Sequence, residues 1–402
     1  MVEMQRPRVG HVITRLILGG AQENTLHTVV GQRADYDVTL VIGVDDGTEG
    51  TLRDRAVAAN VRMLVVPTLV RPIRPLTDVL ALLELVRLFR RERFEIVHTH
   101  SSKAGILGRL AAWIAGVPVV VHTQHGLPFH EYQAGWKNRF YIWFERRCAP
   151  ITDLMICVSD RTTRGALDAG IGRPEQYVTI HSGFELDRFL AVRDRLTPPS
   201  AKQRLGIPSD ALVVGKVARL FPLKGHEQFL AAAPEIARAH PDAWFLFVGD
   251  GPIRAQVEEK VAALGLKERT VFTGRVPPDV VPECIQAMDV VVHTSLREGL
   301  ARVLPQAGAV GKPIVTFDLD GAPEIVKNGA SGYLVAPLDT SALARRVSEL
   351  LVDSDLRRNM GETGRQIVEN MFSLERMLRR INEEYERLLA ARECPRIADV
   401  PR

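Results

Sequence analysis

Short apolar runs that alternate with helical patterns fill almost the whole chain and constrain its fold more than any other feature. The runs VGHVI (9–13), VTLVI (38–42) and VVV (290–292) lack the strict polar alternation of a half-exposed strand. Unbroken runs of this kind are typical of strands that are buried on both faces. The sequence therefore predicts an α/β protein with doubly wound parallel sheets, covered by helices on both sides.

Length and one polar stretch predict the domain organisation. At 402 residues the chain exceeds the size at which a single core usually stops growing, so we expect two domains. The stretch 182–208, which includes RLTPPSAKQR, interrupts the periodicity. We predict a Rossmann-like domain over residues 1–185, a second one over 186–373, and a charged C-terminal helix within 374–402.

Composition excludes several classes of protein. With 46% hydrophobic and 25% charged residues, the chain has the composition of an ordinary globular protein and not of a disordered one. Its longest apolar stretches fall far short of the roughly 18 to 20 residues of a membrane span, and no signal peptide is visible, so we expect a cytoplasmic protein. Four cysteines without paired spacing indicate neither a zinc site nor disulfides. Nothing favours nucleic acid binding.

Two loops carry groups that suit a phosphorylated ligand. In ARLFPLKG, Arg219 and Lys224 follow a predicted strand. In SLREGL, Glu298 and Gly299 follow another, and a helical pattern begins at Leu300. Two cations and a helix N-terminus at the carboxyl edge of a parallel sheet favour diphosphate binding. The alternatives are solvated surface charges, and a glutamate that only stabilises the helix dipole.

Further segments occur in a characteristic order: GGAQ from residue 19, HTHSSKAGILGR from 98, HTQHG from 122, ICVSD from 156, FVGDGP from 247, TGRV from 273, and GKPIV with GAPEIV at 311–326. Together with the two loops, they make nearly the whole chain resemble the GT-B glycosyltransferases of the large retaining family 4. The resemblance implies two Rossmann-like domains that face an interdomain cleft, with the C-terminal helix packed on the N-terminal domain. It also implies transfer from a nucleotide diphosphate sugar without a bound metal or other cofactor.

The resemblance assigns roles to individual residues. Its catalytic groups, which contact the transferred sugar, are Glu298 and His125. Its donor-diphosphate contacts are Gly19, Gly20, Arg219, Lys224, Gly299 and Leu300. The nucleoside and ribose contacts are Val276 and Gln306, and the acceptor side comprises Gln22, His98 and His100.

One position departs from the family pattern, and the histidines allow other interpretations. Gln306 stands where the family usually has a second glutamate, which holds the ribose hydroxyls; an amide can still form hydrogen bonds there but lacks the charge. Each histidine could instead be purely structural. A metal site at His122, His125 and His130 is disfavoured because no acidic partner has matching spacing.

The segment Trp136–Arg147, WKNRFYIWFERR, interleaves aromatic residues with cations. One interpretation is a helix whose aromatic side packs on the N-terminal sheet. The other is a helix that docks on an anionic membrane surface, where aromatic rings lie at the level of the headgroups. The net charge of +4 is compatible with either.

We therefore predict a retaining, metal-independent hexosyltransferase that uses a UDP- or GDP-sugar. Its acceptor would be a saccharide, free or lipid-linked, in cell-envelope polysaccharide biosynthesis. Two alternatives are a GT-B sugar-nucleotide 2-epimerase and a non-catalytic nucleotide-sugar-binding protein.

Overall fold

The computed structural model describes residues 6–44 and 50–393, which form two compact units. Unit 1 contains the described residues up to 183 together with 374–393, and unit 2 contains residues 184–373. The C-terminal helix therefore belongs to the same unit as the N-terminal half of the chain.

In the described residues, unit 1 contains a seven-stranded sheet in which every neighbouring pair is parallel, with the order β3-β2-β1-β4-β5-β6-β7. The strands are β1 (Arg8–Ile13), β2 (Asp37–Ile42), β3 (Arg62–Val65), β4 (Ile96–His100), β5 (Val119–Gln124), β6 (Leu154–Cys157) and β7 (Tyr177–Thr179). The strand order reverses between β1 and β4. In open α/β sheets, ligands bind beyond the carboxyl ends of the strands at such a switch point.

Helices of unit 1 cover both faces of this sheet. They are α1 (Gly20–Gln32), α2 (Arg53–Ala58), α3 (Pro75–Glu92), α4 (Ser102–Ala115), α5 (Gly135–Cys148) and α6 (Asp160–Asp168). One apolar core lies on the face that α1 covers, and a second lies on the face that α3 and α4 cover. This two-sided burial is why the strands read as unbroken apolar runs.

In the described residues, unit 2 has a six-stranded sheet, again with only parallel pairs, in the order β10-β9-β8-β11-β12-β13. The strands are β8 (Leu212–Val217), β9 (Ala243–Val248), β10 (Thr270–Phe272), β11 (Val290–His293), β12 (Ile314–Phe317) and β13 (Gly332–Val335). Its switch point lies between β8 and β11, the two strands that precede the loops singled out in the sequence.

The helices of unit 2 follow the same alternation. They are α7 (Asp187–Leu190), α8 (Val192–Arg195), α9 (Pro198–Arg204), α10 (His226–Ala239), α11 (Arg254–Ala263), α12 (Val281–Gln286), α13 (Val303–Ala309), α14 (Ala322–Ile325), α15 (Thr340–Val352) and α16 (Ser354–Met371). Helix α17 (Leu374–Glu393) follows and buries Met377, Ile381 and Tyr385 in the core of unit 1 that also contains residues of α1. None of the described helices combines the length and the apolar character that a membrane span requires.

Helix α5 corrects one expectation. The sequence offered an aromatic face packed on the sheet, but Trp136, Phe140 and Trp143 are 62%, 38% and 52% exposed. A polar contact helps to attach the helix, because Glu145 forms a buried ion pair of 2.6 Å with Arg109 of α4. Trp136, Phe140 and Trp143 are therefore surface groups, whereas Tyr141 and Phe144 are partly buried.

Candidate active site

The loops after β8 and β11 meet at the switch point of unit 2. The backbone N–H of Leu296 donates to the carbonyl of Leu223 at 2.9 Å, and the Thr294 hydroxyl donates to the carbonyl of Gly225 at 2.5 Å. Two backbone positions allow this approach. Gly225 has φ +70°, and a Cβ atom there would lie 1.7 Å from the carbonyl oxygen of Thr294. Leu223 adopts φ +65°, a conformation that costs a non-glycine residue energy.

This approach brings Lys224 and Glu298 together. Lys224 Nζ donates to Glu298 Oε1 at 2.5 Å, and both side chains are partly buried. The carboxylate has a fixed position because the backbone of its loop is held by the loop after β12. The N–H of Glu298 donates to Asp320 Oδ2 at 2.5 Å, and the N–H of Gly321 donates to the carbonyl of Gly299 at 3.1 Å.

The same two bonds correct the prediction of a helix starting at Leu300. The N–H of Glu298 and the carbonyl of Gly299 are already bonded to the loop after β12, so residues 298–300 lie in a loop and α13 begins at Val303. Glu298 is five residues before that helix and does not lie in its first turn. The interpretation of Glu298 as a helix-dipole partner therefore fails for α13.

A buried lysine lies next to this pair and was missed from the sequence. Lys216 is on β8, is almost fully buried, and donates from Nζ to the Thr294 hydroxyl at 2.9 Å. Burial, and then the charge of nearby Lys224, lower its pKa to about 7, while Glu298 opposes the shift. The signal in the sequence was a lysine inside the otherwise apolar run LVVGKV.

The remaining predicted donor contacts of unit 2 lie in segments that follow β8, β10 and β11. Arg219 is exposed, with its guanidinium 4.7 Å from the ring centroid of Phe221. Gln306 is partly buried on α13, and Val276 is partly buried in the loop after β10. These positions are compatible with nucleotide contacts but do not test them. The roles of Arg219, Gln306 and Val276 therefore stay predictions.

A small cavity opens beside Glu298. Its polar lining includes His293 and Ser295, at the end of β11 and in the loop after it, and Thr316 and Asp320, in β12 and in the loop after it. Burial, and then the charges of Lys216 and Lys224, hold the pKa of His293 well below its usual value, so this ring is a neutral hydrogen-bonding group. The cavity thus places hydrogen-bonding side chains beside two carboxylates, those of Glu298 and Asp320.

In unit 1, histidines cluster at the other switch point. His11 of β1 is paired in register with His98 of β4, and His100 ends β4. His125 follows β5 and lies with Nε2 3.2 Å from Nδ1 of His100. Burial lowers the pKa of His11 and of His125 to about 4 and holds that of His100 well below the usual value, so these rings are neutral near pH 7.

His98 was predicted to contact the acceptor, but both nitrogens of its ring already have hydrogen-bond partners. Its Nδ1 is 2.5 Å from the hydroxyl of Tyr385 on α17, and its Nε2 is 2.6 Å from the hydroxyl of Thr123. The side chain is fully buried. His98 therefore joins the sheet to the C-terminal helix, and the structural interpretation is the better one for this residue.

Three of these histidines, His11, His98 and His100, have ring nitrogens within 4.8 Å of one another, a distance at which a metal could bind. Each of their six nitrogens, however, already lies within hydrogen-bond distance of a partner: Gln32, Tyr385, Thr123, His125, or one another. A metal would have to displace these bonds. The arrangement is better explained as a hydrogen-bonded network.

The glycine-rich segment of the GGAQ motif opens helix α1. The helix begins at Gly20, with Gly19 in an extended conformation at its N-cap. Gln22 is partly buried in its first turn. The expected contacts of Gly19, Gly20 and Gln22 with donor phosphates or acceptor stay predictions.

Comparison with known proteins covers both units. Residues 199–367 match the family of glycosyl transferases group 1, and residues 19–183 match the glycosyl transferase 4-like domain. The chain is 29% identical over 383 residues to an Escherichia coli UDP-Gal:alpha-D-GlcNAc-diphosphoundecaprenol alpha-1,3-galactosyltransferase, covering 94% of this chain and 96% of that protein. It is 30% identical over 322 residues to the 2-deoxystreptamine glucosyltransferase of Streptomyces kanamyceticus, covering 77% and 81%.

Solved structures show the same architecture. HepE of Anabaena, in complex with UDP, matches with a TM-score of 0.79 and 22% identity over 94% of this chain and 99% of that chain. Sucrose-phosphate synthase of Thermosynechococcus elongatus matches with a TM-score of 0.79 and 22% identity over 96% and 100%. Two α/β units, each with a parallel sheet, and these structural neighbours define a GT-B fold. The chain belongs to the group 1 glycosyltransferases and is a glycosyltransferase.

Proposed function

We propose that this glycosyltransferase moves a hexose from a UDP-sugar, with retention and without a metal, to a lipid-linked saccharide of the cell envelope. The observation that carries the donor side is the Lys224–Glu298 pair at the switch point of unit 2. The choice of UDP rests on HepE, which binds UDP, and on the Escherichia coli relative, which uses UDP-Gal. The same relative, named for a diphosphoundecaprenol acceptor, supports the lipid-linked saccharide.

The pair offers a simple exchange when the donor binds. Lys224 lies one residue before Gly225, the N-cap of the 14-residue helix α10, whose N-terminus favours an anion. A diphosphate there would draw the ammonium group of Lys224 away from Glu298. The carboxylate of Glu298 would then accept hydrogen bonds from hydroxyls of the sugar.

Catalysis would come mainly from charge placed at the leaving group. When the bond from the anomeric carbon to the diphosphate breaks, negative charge grows on the leaving oxygen, and the cations of Lys224 and Arg219 stabilise it more than they stabilise the ground state. Removal of one such fixed donor typically costs about 3 kcal/mol in the barrier. This role needs no metal ion.

Retention is proposed through front-face attack within an ion pair. A double displacement needs a carboxylate at the anomeric carbon that acts as a nucleophile. The carboxylate beside Glu298, Asp320, already accepts the backbone N–H of Glu298, which favours a structural role for it. Glu298 would then stabilise positive charge on the sugar ring.

We further propose that α5 docks on an anionic membrane, where the lipid-linked acceptor lies. Its exposed tryptophans carry cations close to their rings, with Lys137 Nζ 5.5 Å from the Trp136 centroid and the Arg147 guanidinium 5.1 Å from the Trp143 centroid. Aromatic rings beside cations suit the headgroup region of a bilayer.

The direct test is a panel of UDP-Gal, UDP-Glc, UDP-GlcNAc and GDP-Man, with and without diphosphoundecaprenol-linked N-acetylglucosamine, in the presence of EDTA. The proposal predicts UDP release that requires the acceptor, and a product whose anomeric configuration by NMR equals that of the donor. Acceptor-independent epimerisation of UDP-GlcNAc would favour the epimerase alternative. Binding of a donor without any turnover would favour a non-catalytic nucleotide-sugar-binding protein. A product with inverted anomeric configuration would refute retention.

A further inference from the structure

A continuous line of hydrogen bonds runs through unit 1 from its surface to His125. The bonds are Asn382 Nδ2 to Asp35 Oδ2 at 3.0 Å, Gln32 Nε2 to Asn382 Oδ1 at 2.9 Å, His11 Nε2 to Gln32 Oε1 at 2.8 Å, His11 Nδ1 to His100 Nε2 at 3.0 Å, and His100 Nδ1 to His125 Nε2 at 3.2 Å. We call these residues the histidine chain: Asp35, Asn382, Gln32, His11, His100 and His125.

The surface end of the histidine chain fixes its direction. An ionised carboxylate only accepts hydrogen bonds, so Asp35 requires the NH₂ group of Asn382 to face it. The carbonyl oxygen of Asn382 therefore faces Gln32 and requires the NH₂ group of that amide. The oxygen of Gln32 then faces His11, which must carry its proton on Nε2.

The direction passes unchanged through the imidazoles. A neutral ring has one N–H and one lone pair, so His11 accepts at Nδ1 and requires the proton of His100 on Nε2. His100 then accepts at Nδ1 and requires the proton of His125 on Nε2. The last consequence is that Nδ1 of His125 carries a lone pair, and this atom has no hydrogen-bond partner among the residues that the structure describes.

We propose that the histidine chain holds His125 in the tautomer with its proton on Nε2, so that Nδ1 is presented to the substrate as a hydrogen-bond acceptor. His100, His11, Gln32 and Asn382 are positioning residues in this arrangement. The inference rests on the proposed function in one respect, because it takes His125 to be the group of unit 1 that contacts a substrate hydroxyl. The inference adds that His125 is the acceptor in that contact, and it names the residues that fix this role.

Burial makes this control effective. His11 and His100 are fully or almost fully buried, so neither ring can exchange its partner for water. The low pKa values of the buried rings keep them neutral, and only a neutral ring has two distinguishable tautomers. Reversal of one link would leave two donors or two acceptors facing each other unless every link reversed.

The histidine chain also gives the C-terminal helix a role in the site. Asn382 is on α17, and Tyr385, one turn further along, bonds the neighbouring His98. Residues of α17 thus fix the orientation of His98 directly, through Tyr385, and that of His11 indirectly, through Gln32. A helix remote in sequence determines the polarity of a histidine at residue 125.

The test is the tautomer of His125 in the full-length protein without ligand, from ¹⁵N–¹H long-range NMR correlations assigned with His125→Ala. We expect the proton on Nε2 in the wild type. Asn382→Leu, at the partly exposed end of the histidine chain, frees the Gln32 amide to rotate, so both tautomers should appear at His125. The double variant Asp35→Asn with Asn382→Asp keeps an acceptor for Gln32 without setting two carboxylates against each other, so it should keep the wild-type tautomer. Gln32→Met should behave like Asn382→Leu.

A matched control is Thr28→Val on α1, which removes a buried hydroxyl that donates to the carbonyl of Asn24 at 2.9 Å and should leave the tautomer unchanged. Turnover of a UDP-hexose provides the second readout. Asn382→Leu should lower kcat about 10-fold or more, as loss of an orienting partner does for ligating histidines, with little change in donor KM. The double variant Asp35→Asn with Asn382→Asp should restore kcat. A proton on Nδ1 in the wild type, or an unchanged tautomer in both Asn382→Leu and Gln32→Met, would overturn the inference.

The role of the histidine chain and the proposed contact of His125 with the substrate can be refuted separately. An altered tautomer with unchanged kcat in Asn382→Leu would overturn the role of the histidine chain in transfer. Wild-type turnover in His125→Ala would instead refute the proposed contact of His125, whatever the tautomer measurement gives.

Discussion

The substitution Gly225→Ala tests how the two loops of the donor site are held together. Any L-residue with φ +70° costs about 1–2 kcal/mol relative to glycine. Gly206 isolates that cost, since it has φ +72° in the same unit, and apart from its chain neighbours no described residue has an atom within 4 Å of an added Cβ. Gly206→Ala should therefore destabilise unit 2 by about 1–2 kcal/mol and leave the site intact.

At Gly225 the added Cβ would also lie 1.7 Å from the carbonyl oxygen of Thr294, so the loops must separate. Separation weakens the bond from the Thr294 hydroxyl to Gly225 and the bond from Leu296 to Leu223. At about 1 kcal/mol for each lost hydrogen bond, the total for Gly225→Ala is about 3–4 kcal/mol. Lys224 should then lose its position opposite Glu298.

Hydrogen exchange of peptides that cover β8 and β11 measures the local opening free energy in both variants, and this readout does not assume that the two units unfold together. UDP affinity measured on the same samples reports the site. Equal protection and equal UDP affinity in Gly206→Ala and Gly225→Ala would refute the argument that the close approach at Thr294 holds the site.

Three further predictions concern the ribose, acidic pH and the membrane. Gln306→Glu should retain or strengthen UDP binding, whereas Gln306→Leu should weaken UDP but not a free hexose phosphate by calorimetry; equal losses for all ligands would make the residue structural. Burial lowers the pKa of His11 and His125 from 6.5 to about 4, so the unfolded chain binds more protons between those values. The free energy of unfolding of unit 1 should therefore fall by about 1.4 kcal/mol per pH unit for each such histidine as the pH falls through that window. Equal opening free energies from hydrogen exchange at pH 7.5 and pH 5 would contradict this prediction. Sedimentation with anionic vesicles should be salt-sensitive and should disappear, with donor binding retained, when glutamine replaces the cations of α5, and wild-type protein that ignores such vesicles would refute docking. These cations are Lys137, Arg139, Arg146 and Arg147.

The sequence allowed prediction of the strands and of the loops that carry the donor site. Apolar runs such as 212–217 and 290–293 are local signals of doubly buried strands, and the loops that follow them must meet at one sheet edge. That is why Lys224 and Glu298 could be assigned to one site before their distance was known. The start of α13 could not be predicted, since it depends on bonds from the loop after β12, where Asp320 accepts the N–H of Glu298.

The histidines illustrate the opposite limit. His98 lies within one strand and His125 follows another, both in histidine-rich motifs, and nothing local separates their roles. The difference comes from Tyr385, 287 residues away, which occupies a nitrogen of His98. Lys216 was visible as a charge within an apolar strand, but its hydrogen bond to Thr294 is a tertiary contact.

The most direct test of the donor site is a calorimetric titration of UDP into the wild type, Lys224→Met and Lys260→Met. Lys260 is an exposed lysine on α11 of the same unit and serves as the matched control. Loss of a charge-assisted hydrogen bond of about 1.5–3 kcal/mol predicts roughly 10-fold to 150-fold weaker UDP binding in Lys224→Met, with no change for uridine or in Lys260→Met. UDP affinity in Lys224→Met equal to that of the wild type would contradict the assignment of the diphosphate to this switch point.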